Sequence, residues 1–394
     1  MRFIDSFRFM SSSLDDLIKS LNKDQLQILK EFFPVESKFN LVMRKGIFPY
    51  DYVYSITKLA ETSIPPKDVL YSRLIGEGIT DEDYKHATKV WKEFKMKTFR
   101  EYIELYNKVD VLLLADVFEN FRDLCMTHYD LDQAWYYTAP GLSWDAALKT
   151  TGVKLELLSD IDMLFMIQKG IRGGICMAVK RFAEENNKYM SDSYDSSKPC
   201  SFIVYLDANN FYGWSMSQEL PTHGFEWMND EELENWKKTP CLLEVDLERS
   251  DEFHDLHSDF PLAPEQVKVN KVNKLIPNLN RKKRYVVNYQ NLKQYEELGL
   301  RITKIHRGIK FEESKWLKKY IDTNTELRMK ATNECEKDLF KLMNNSVFGK
   351  TIENVENRVD VSLITDEEKA KKNWLQNLIT IVVPSSMKIL LQFT

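Results

Sequence analysis

Apolar and polar positions along this chain change rhythm several times. In SSSLDDLIKSL, residues 11–21, Leu14, Leu17, Ile18 and Leu21 recur at helical spacing, with serines ahead of them to cap the first turn. A long helix is predicted from about 99 to 129, opened by Thr98 and Glu101 as a T-x-x-E capping box. The stretch 312–348 again follows the helical period and is rich in lysine. Strand patterns are read at RFIDSFRFM near the start, around 201–207 and around 241–247, with a turn and a short polar helix between the last two. NNKYMSDSYDSSKPC, residues 186–200, is polar and turn-rich and reads as a linker or exposed hairpin. The closing LITIVVPSSMKILLQFT is apolar, nearly chargeless and matches no motif, and the chain has no internal repeat.

Composition narrows the class without naming a function. A length of 394 residues, 43% hydrophobic and 29% charged, describes two or three ordinary globular domains. No run reaches the roughly 20 apolar residues of a membrane-spanning helix, and MRFIDSFRFM has no apolar core of a signal peptide. An intracellular chain outside the membrane is therefore expected. The five cysteines are scattered without metal-type spacing, which fits free thiols in a reducing compartment. His254 and His257 form H-x-x-H, but among Asp251, Asp255 and Asp259 they read as a polar loop rather than a zinc site. Net charge is −5, yet residues 268–284 carry seven basic side chains and no acidic one, ending in Lys282, Lys283 and Arg284. Such a run is either a solvated loop or a set of phosphate contacts.

Four short motifs could carry chemistry. In YLDANNFYGWSM an apolar run drives into Asp207, and a strand-end aspartate is what a two-metal nucleotidyl-transfer site requires. Tyr212 follows where a ring could pack under the sugar of an incoming nucleotide and reject a 2′ substituent. The plain alternative is a strand-end aspartate capping the next helix. In KLMNNSVFGK, Lys341 is joined by Lys330 and Lys337 along one predicted helix face, a row of point charges suited to a triphosphate. Asn345, Phe348 and Gly349 would then lie beside the base pair, the glycine permitting close backbone approach. A solvated lysine face with a glycine cap would look the same. Tyr106 and Asp110, i and i+4 in YNKVD, share a helix face and could orient water beside a metal, although such pairs are commonplace. Ile171, Arg172, Gly173 and Gly174 offer a glycine pair that a DNA backbone could approach, a weak signal alone.

Their order is more specific than any one of them. YNKVD, IRGG, YLDANNFYGWSM and KLMNNSVFGK follow the linear plan of a family B DNA polymerase. Together with RFIDSFRFMSSSLDDL, they resemble the protein-primed branch found in certain phages, linear plasmids and self-synthesising DNA transposons. The resemblance runs from the first residue to about Arg358. It implies a mixed α/β fold. The carboxyl-terminal part of a ribonuclease-H-like 3′–5′ exonuclease domain would occupy residues 1–135, with a connecting segment at 136–200. An incomplete palm would follow at 201–310, with its basic insertion near 268–284, then fingers helices at 311–358 and a divergent tail.

The resemblance also implies roles. Tyr106 and Asp110 become the third exonuclease motif, Asp110 a metal ligand. Arg172, Gly173 and Gly174 fall on the element that couples the two sites and meets DNA, with Ile171 where that branch has tyrosine. Asp207 becomes the first palm metal ligand, Mg²⁺ being the cofactor, and Tyr212 the sugar check. Lys330, Lys337, Lys341, Asn345, Phe348 and Gly349 hold the nucleotide, with Phe348 replacing the usual tyrosine. Lys282, Lys283 and Arg284 lie in the insertion that contacts DNA and a terminal priming protein. Primer-template DNA and dNTPs are the implied partners.

The plan is incomplete. The second palm aspartate motif, D-T-D or similar, is not found after Gly349. Asp160 and Asp162 form D-I-D, but upstream of Asp207. The exonuclease D-x-E is absent before Asp110. The chain thus reads as a central slice with about half of each active site, and the tail beyond about Trp374 as the mark of a truncation. A non-catalytic nucleic-acid-binding remnant of such a polymerase is the competing reading.

Overall fold

The computed structural model describes residues 3–73, 76–190 and 193–353, and the short strand segments 362–364, 380–382 and 390–392. The chain divides into two compact units, 1–350 and 351–394. In the first, short helices α1 (Leu14–Lys19), α2 (Gln27–Phe32) and α3 (Glu36–Val42) precede α4 (Asp81–Glu93) and the long α5 (Phe99–Tyr129). Then come α6 (Ala139–Thr151), α7 (Ile161–Gly170) and α8 (Phe211–Met216). A mixed region follows, with β1 (Leu220–Trp227), α9 (Asp230–Glu234), β2 (Cys241–Arg249), α10 (His254–Asp259), β3 (Glu265–Val269) and β4 (Val272–Ile276). β5 (Lys282–Asn288), α11 (Tyr289–Glu297), β6 (Leu300–Ser314), α12 (Lys318–Lys330) and α13 (Glu334–Thr351) complete this run of elements. The second unit shows a small antiparallel sheet of β7 (Ser362–Ile364), β8 (Thr380–Val382) and β9 (Leu390–Gln392), with β9 central.

The expected mixed α/β class holds at this level. Helix α5 spans the predicted 99–129 and forms the axis of the largest core, where Val109, Leu113, Val117 and Phe121 meet Phe9, Leu29 and Phe39. Ser13 caps α1 by accepting from Asp16 N, as its position suggested. Asp116, buried in the middle of α5, accepts from the backbone N–H groups of Ile28 and Leu29 at 2.8 and 2.9 Å. It thereby serves donors at the start of α2 that have no partner within that helix. The four-stranded antiparallel sheet has the order β1-β6-β2-β5. One face holds Leu243, Val245, Leu247 and Leu292, and the other packs Val286 and Ile309 against Met163 and Met166 of α7.

Several expected elements differ. RFIDSFRFM is no strand in its described residues. Asp5 accepts from Phe7 N and closes a single 3₁₀ turn at Ser6–Arg8. The capping box at Thr98 does not form either, because Glu101 reaches Lys97 N instead. The expected strand at 201–207 is extended but unpaired beyond one bridge, Ser201 with Asn186. An apolar run becomes a strand only where a neighbour can take its backbone groups. Here the sheet is bounded by β1 and β5, and neither takes this segment. The helical stretch 312–348 begins later than expected, since 312–314 close β6. It also breaks at 331–333, where Asn333 Oδ1 accepts from Glu336 N and Glu336 accepts from Thr332 N. That reciprocal cap starts a second helix.

A buried hydrogen-bond chain ties α12 and α13 to α5. The Tyr129 hydroxyl donates to Asn324 Oδ1 at 2.8 Å, and Asn324 Nδ2 donates to Asn344 Oδ1 at 2.8 Å. Tyr320 adds a hydroxyl bond to Met343 O at 3.2 Å. Asn324→Ala strands the phenol and the Asn344 carbonyl at once. It should cost about 1–3 kcal/mol for each group left unpaired, read as a lower urea midpoint. Tyr129→Phe, which strands only one acceptor, should cost less.

Candidate functional site

The motifs at 171–174, 207–213 and 341–349 come together around α8 and α13. Asn210, in the left-handed region at φ 54°, turns the extended segment into α8. A Cβ on Gly213 would lie 2.5 Å from the Asn210 amide, so the turn closes only over a glycine. Tyr212 projects from the first turn, and its ring meets Phe348 of α13 at 4.3 Å between centroids. Its hydroxyl lies 3.8 Å from where a Cβ of Gly174 would be. Phe211 stacks on Trp214 at 6.1 Å. Asp207, at the end of the exposed run 202–206, is itself exposed.

On α13, Asn345 and Lys341 stand about one and two turns before Phe348. Both line a cavity that also touches Ser11, Ser12, Phe121 and Cys335. Lys337 is paired with Glu334 at 2.6 Å. Lys330 belongs to α12, beside Glu326 at 3.9 Å, so the single lysine row expected across 330–341 is split by the break at 331–333. Gly349 faces the Pro140 ring, 3.9 Å from a would-be Cβ.

A second cluster forms on α5. Tyr106 and Asp110 are half-buried, one turn apart. Lys45 places its ammonium 3.8 Å from Asp110 Oδ2, and Phe48 packs between Tyr50 and Tyr106 at 4.7 and 5.0 Å. A Cβ on Gly46 would press the Tyr106 ring at 3.2 Å, which is how the loop comes so close. Burial pushes the Asp110 carboxyl up, against the Tyr106 hydroxyl and the Lys45 ammonium. Tyr106 is pushed up as well, first by burial, then by its bond to Tyr50 and by the Asp110 charge. Asp110 Oδ1 is buried without a hydrogen-bond partner. Lys45 and Tyr50 escaped the sequence reading; the only signal was the aromatic stretch KGIFPYDY, which follows neither period.

The basic run resolves into unlike parts. Residues 265–276 form the β3–β4 hairpin. Lys282, assigned to DNA from the sequence, is buried. Its ammonium donates to Glu265 at 2.9 Å and to Asn278 Oδ1 at 2.6 Å, so it braces the hairpin base. Lys283 and Arg284 are exposed. Arg172 is held at the sheet edge, its guanidinium 3.9 Å above the Tyr285 ring and donating to Val286 O and Gly170 O. Gly173 is exposed beside it. D-I-D at 160–162 is a helix cap: Asp160 accepts from Asp162 N, Met163 N and the Trp227 indole. His257, buried, bonds to Leu298 O.

These residues do not fit a two-metal centre. Asp207 stands on an exposed segment and Asp110 beside an ammonium. Among the described residues no three acidic, histidine or cysteine side chains gather as metal ligands. The orphaned Asp110 oxygen offers one donor, and one carboxylate does not hold two divalent ions.

Residues 1–391 match the family described as DNA polymerase type B, organellar and viral. The chain belongs to that family. A search of curated proteins finds no match. Among solved structures it is similar to Phi29 DNA polymerase in its orthorhombic crystal form, at 15% identity. It is also similar, at 14% identity, to the ternary complex of that polymerase with primer-template DNA and incoming nucleotide substrates. Both comparisons have a TM-score of 0.44 and cover 92% of this chain and 50% of the other. The chain thus spans about half the length of the structures it matches. No helix among the described residues of this type B polymerase chain is long and apolar enough to cross a membrane.

The raised Asp110 carboxyl has a consequence for stability. Its folded value lies above the unfolded one, so the ionised form is penalised in the folded state. The penalty is absent well below the unfolded value near 3.8, grows as pH rises from there towards the folded value, and is full above it. Asp110→Asn should therefore stabilise the polymerase chain more at pH 7 than at pH 3.5, where both states hold the proton for the most part. Urea midpoints at the two pH values check this.

Proposed function

We propose that this chain is the nucleotide-selecting and strand-binding part of a DNA-directed DNA polymerase. The reaction is template-directed: a primer hydroxyl attacks the α-phosphate of a dNTP in line and pyrophosphate leaves. The observation that carries this reading is the contact of Tyr212 with Phe348. It joins the Asp207 segment to the helix bearing Lys341 and Asn345. The two rings form an apolar shelf on which a deoxyribose can rest, while a 2′-hydroxyl would meet the Tyr212 ring. Lys341 supplies a point charge to the triphosphate, with Lys337 and Lys330 as further cations. Asn345 and Gly349 flank the nascent base pair. Gly173, Gly174, Lys283 and Arg284 border the DNA path, and a terminal protein is the proposed primer.

In this reading Tyr106, Asp110 and Lys45 are part of a vestigial 3′–5′ exonuclease region. Mg²⁺ is the family's proposed ion, but of the palm motifs' metal-binding carboxylates the described residues offer one, Asp207. The chain alone is therefore expected to bind primer-template while extending it little. The lone carboxylate also favours a second reading, a nucleic-acid-binding remnant without catalysis.

Primer extension by the full chain, with Mg²⁺ or Mn²⁺ and with Asp207→Ala as control, separates the two. The polymerase reading expects weak extension that the substitution abolishes. Salt-sensitive DNA binding with no Asp207-dependent extension selects the remnant.

A further inference from the structure

On the face of the sheet next to α7, two acidic residues of β2 lie beneath a group of cations. Glu244 is 1% exposed. Its Oε2 accepts from Arg284 Nη1 at 3.2 Å and Arg307 Nε at 3.0 Å. Its Oε1 is buried without a hydrogen-bond partner, with Lys169 Nζ at 3.9 Å. Asp246, two residues on, accepts from Arg284 N and His306 Nε2, both at 2.8 Å. Those two bonds, the backbone one first, hold its carboxyl below the ordinary range.

Both cation-bearing strands are irregular here. β5 shifts register against β2 between Val245 and Leu247, and Arg284 sits there in the left-handed region at φ 48°. β6 shifts register twice, on either side of the Val245–Ile305 and Asp246–Lys304 pairs. A left-handed arginine costs conformational energy and persists where surroundings compensate it. Bulges re-aim side chains. Here Asp246 holds the Arg284 backbone, and Glu244 holds its guanidinium beside that of Arg307, which also lies 5.2 Å over the Trp227 ring. The side chain of Arg284 remains largely exposed and that of Arg307 about a third exposed. Among the described residues, each donates to protein through one nitrogen only.

We infer that Arg284 and Arg307 form a phosphate-binding subsite for the backbone of bound DNA, with Glu244 as the residue that positions both. The inference rests on the polymerase reading and adds to it a named contact and its internal support. A buried carboxylate beneath two guanidiniums fixes their planes and directs the remaining N–H edges outward, the fork geometry that suits phosphate oxygens. Lys169, Arg284 and Arg307 bring three positive charges to the carboxylates of Glu244 and Asp246, so this group of side chains keeps a positive excess for an anion.

The test is the salt dependence of duplex primer-template binding by the full chain. Arg284→Gln and Arg307→Gln should each lower the slope of log K against log salt by about 0.9, the value of one phosphate contact. Lys92→Gln, on the exposed side of α4, should not. Glu244→Leu makes the protein more positive by one charge, so unguided electrostatics expects tighter binding. Positioning expects weaker binding and a lower slope. Arg307→Lys, which preserves charge, should weaken binding with the slope kept. Arginine variants that match Lys92→Gln, or a folded Glu244→Leu that binds as well as the parent or better, overturn the inference. Should Glu244→Leu not fold, the arginine slopes decide. A chain that binds no DNA overturns the polymerase reading along with it. Unaltered slopes in a chain that does bind overturn this inference alone.

Discussion

The contact between Tyr212 and Phe348 depends on a hydrogen-bond chain buried among α5, α12 and α13. Tyr129, Asn324 and Asn344 link α5 to α12 and α13 through two bonds of 2.8 Å each. Buried amides of this kind are satisfied in one arrangement and costly in others, so they select a register between helices as well as stabilising it. The register brings Phe348, one turn beyond Asn344, to the ring of Tyr212. Lys341 and Asn345 are then presented by a helix whose opposite side is anchored in the core through Leu339, Phe340, Met343 and Val347.

Carboxylates act as organisers elsewhere in the chain. Asp116 serves the start of α2 from inside α5, and Asp160 caps α7 while holding the Trp227 indole. Glu244 and Asp246 gather Arg284, His306 and Arg307 on the sheet. In each case the acid is matched by specific donors, which is what makes its burial tolerable. Asp110 and Glu244 nevertheless each keep one buried oxygen without a hydrogen-bond partner. Burial also pushes the Asp110 carboxyl up, at some expense of stability.

Helix α5 was legible in the sequence because thirty-one residues carry one apolar stripe, and β2 because its alternating residues face two cores. The four motifs were legible through their order, and the structure brings three of them together around Tyr212. The run FIVYL was misread because five apolar residues state a preference for burial but not the neighbour that would provide it. Here Tyr205 is 92% exposed. The lysine row was misread because the cap at Asn333 and Glu336 is a local competitor of the helical period. Lys45 and Glu244 could not be singled out. Their roles arise from contacts across some 65 and 40 positions, to Asp110 and Arg284, that no spacing rule encodes.

The central claim is that Tyr212 and Phe348 together form the seat of an incoming deoxynucleotide. Titrating a template-matched dNTP, and then the matching rNTP, into the protein–primer-template complex tests it most directly. The account predicts that the dNTP binds more tightly than the rNTP, and that Tyr212→Val narrows the difference by roughly tenfold, or about 1.4 kcal/mol. Equal affinity for the two nucleotides in the unaltered chain, or a preference that Tyr212→Val leaves in place, would contradict it.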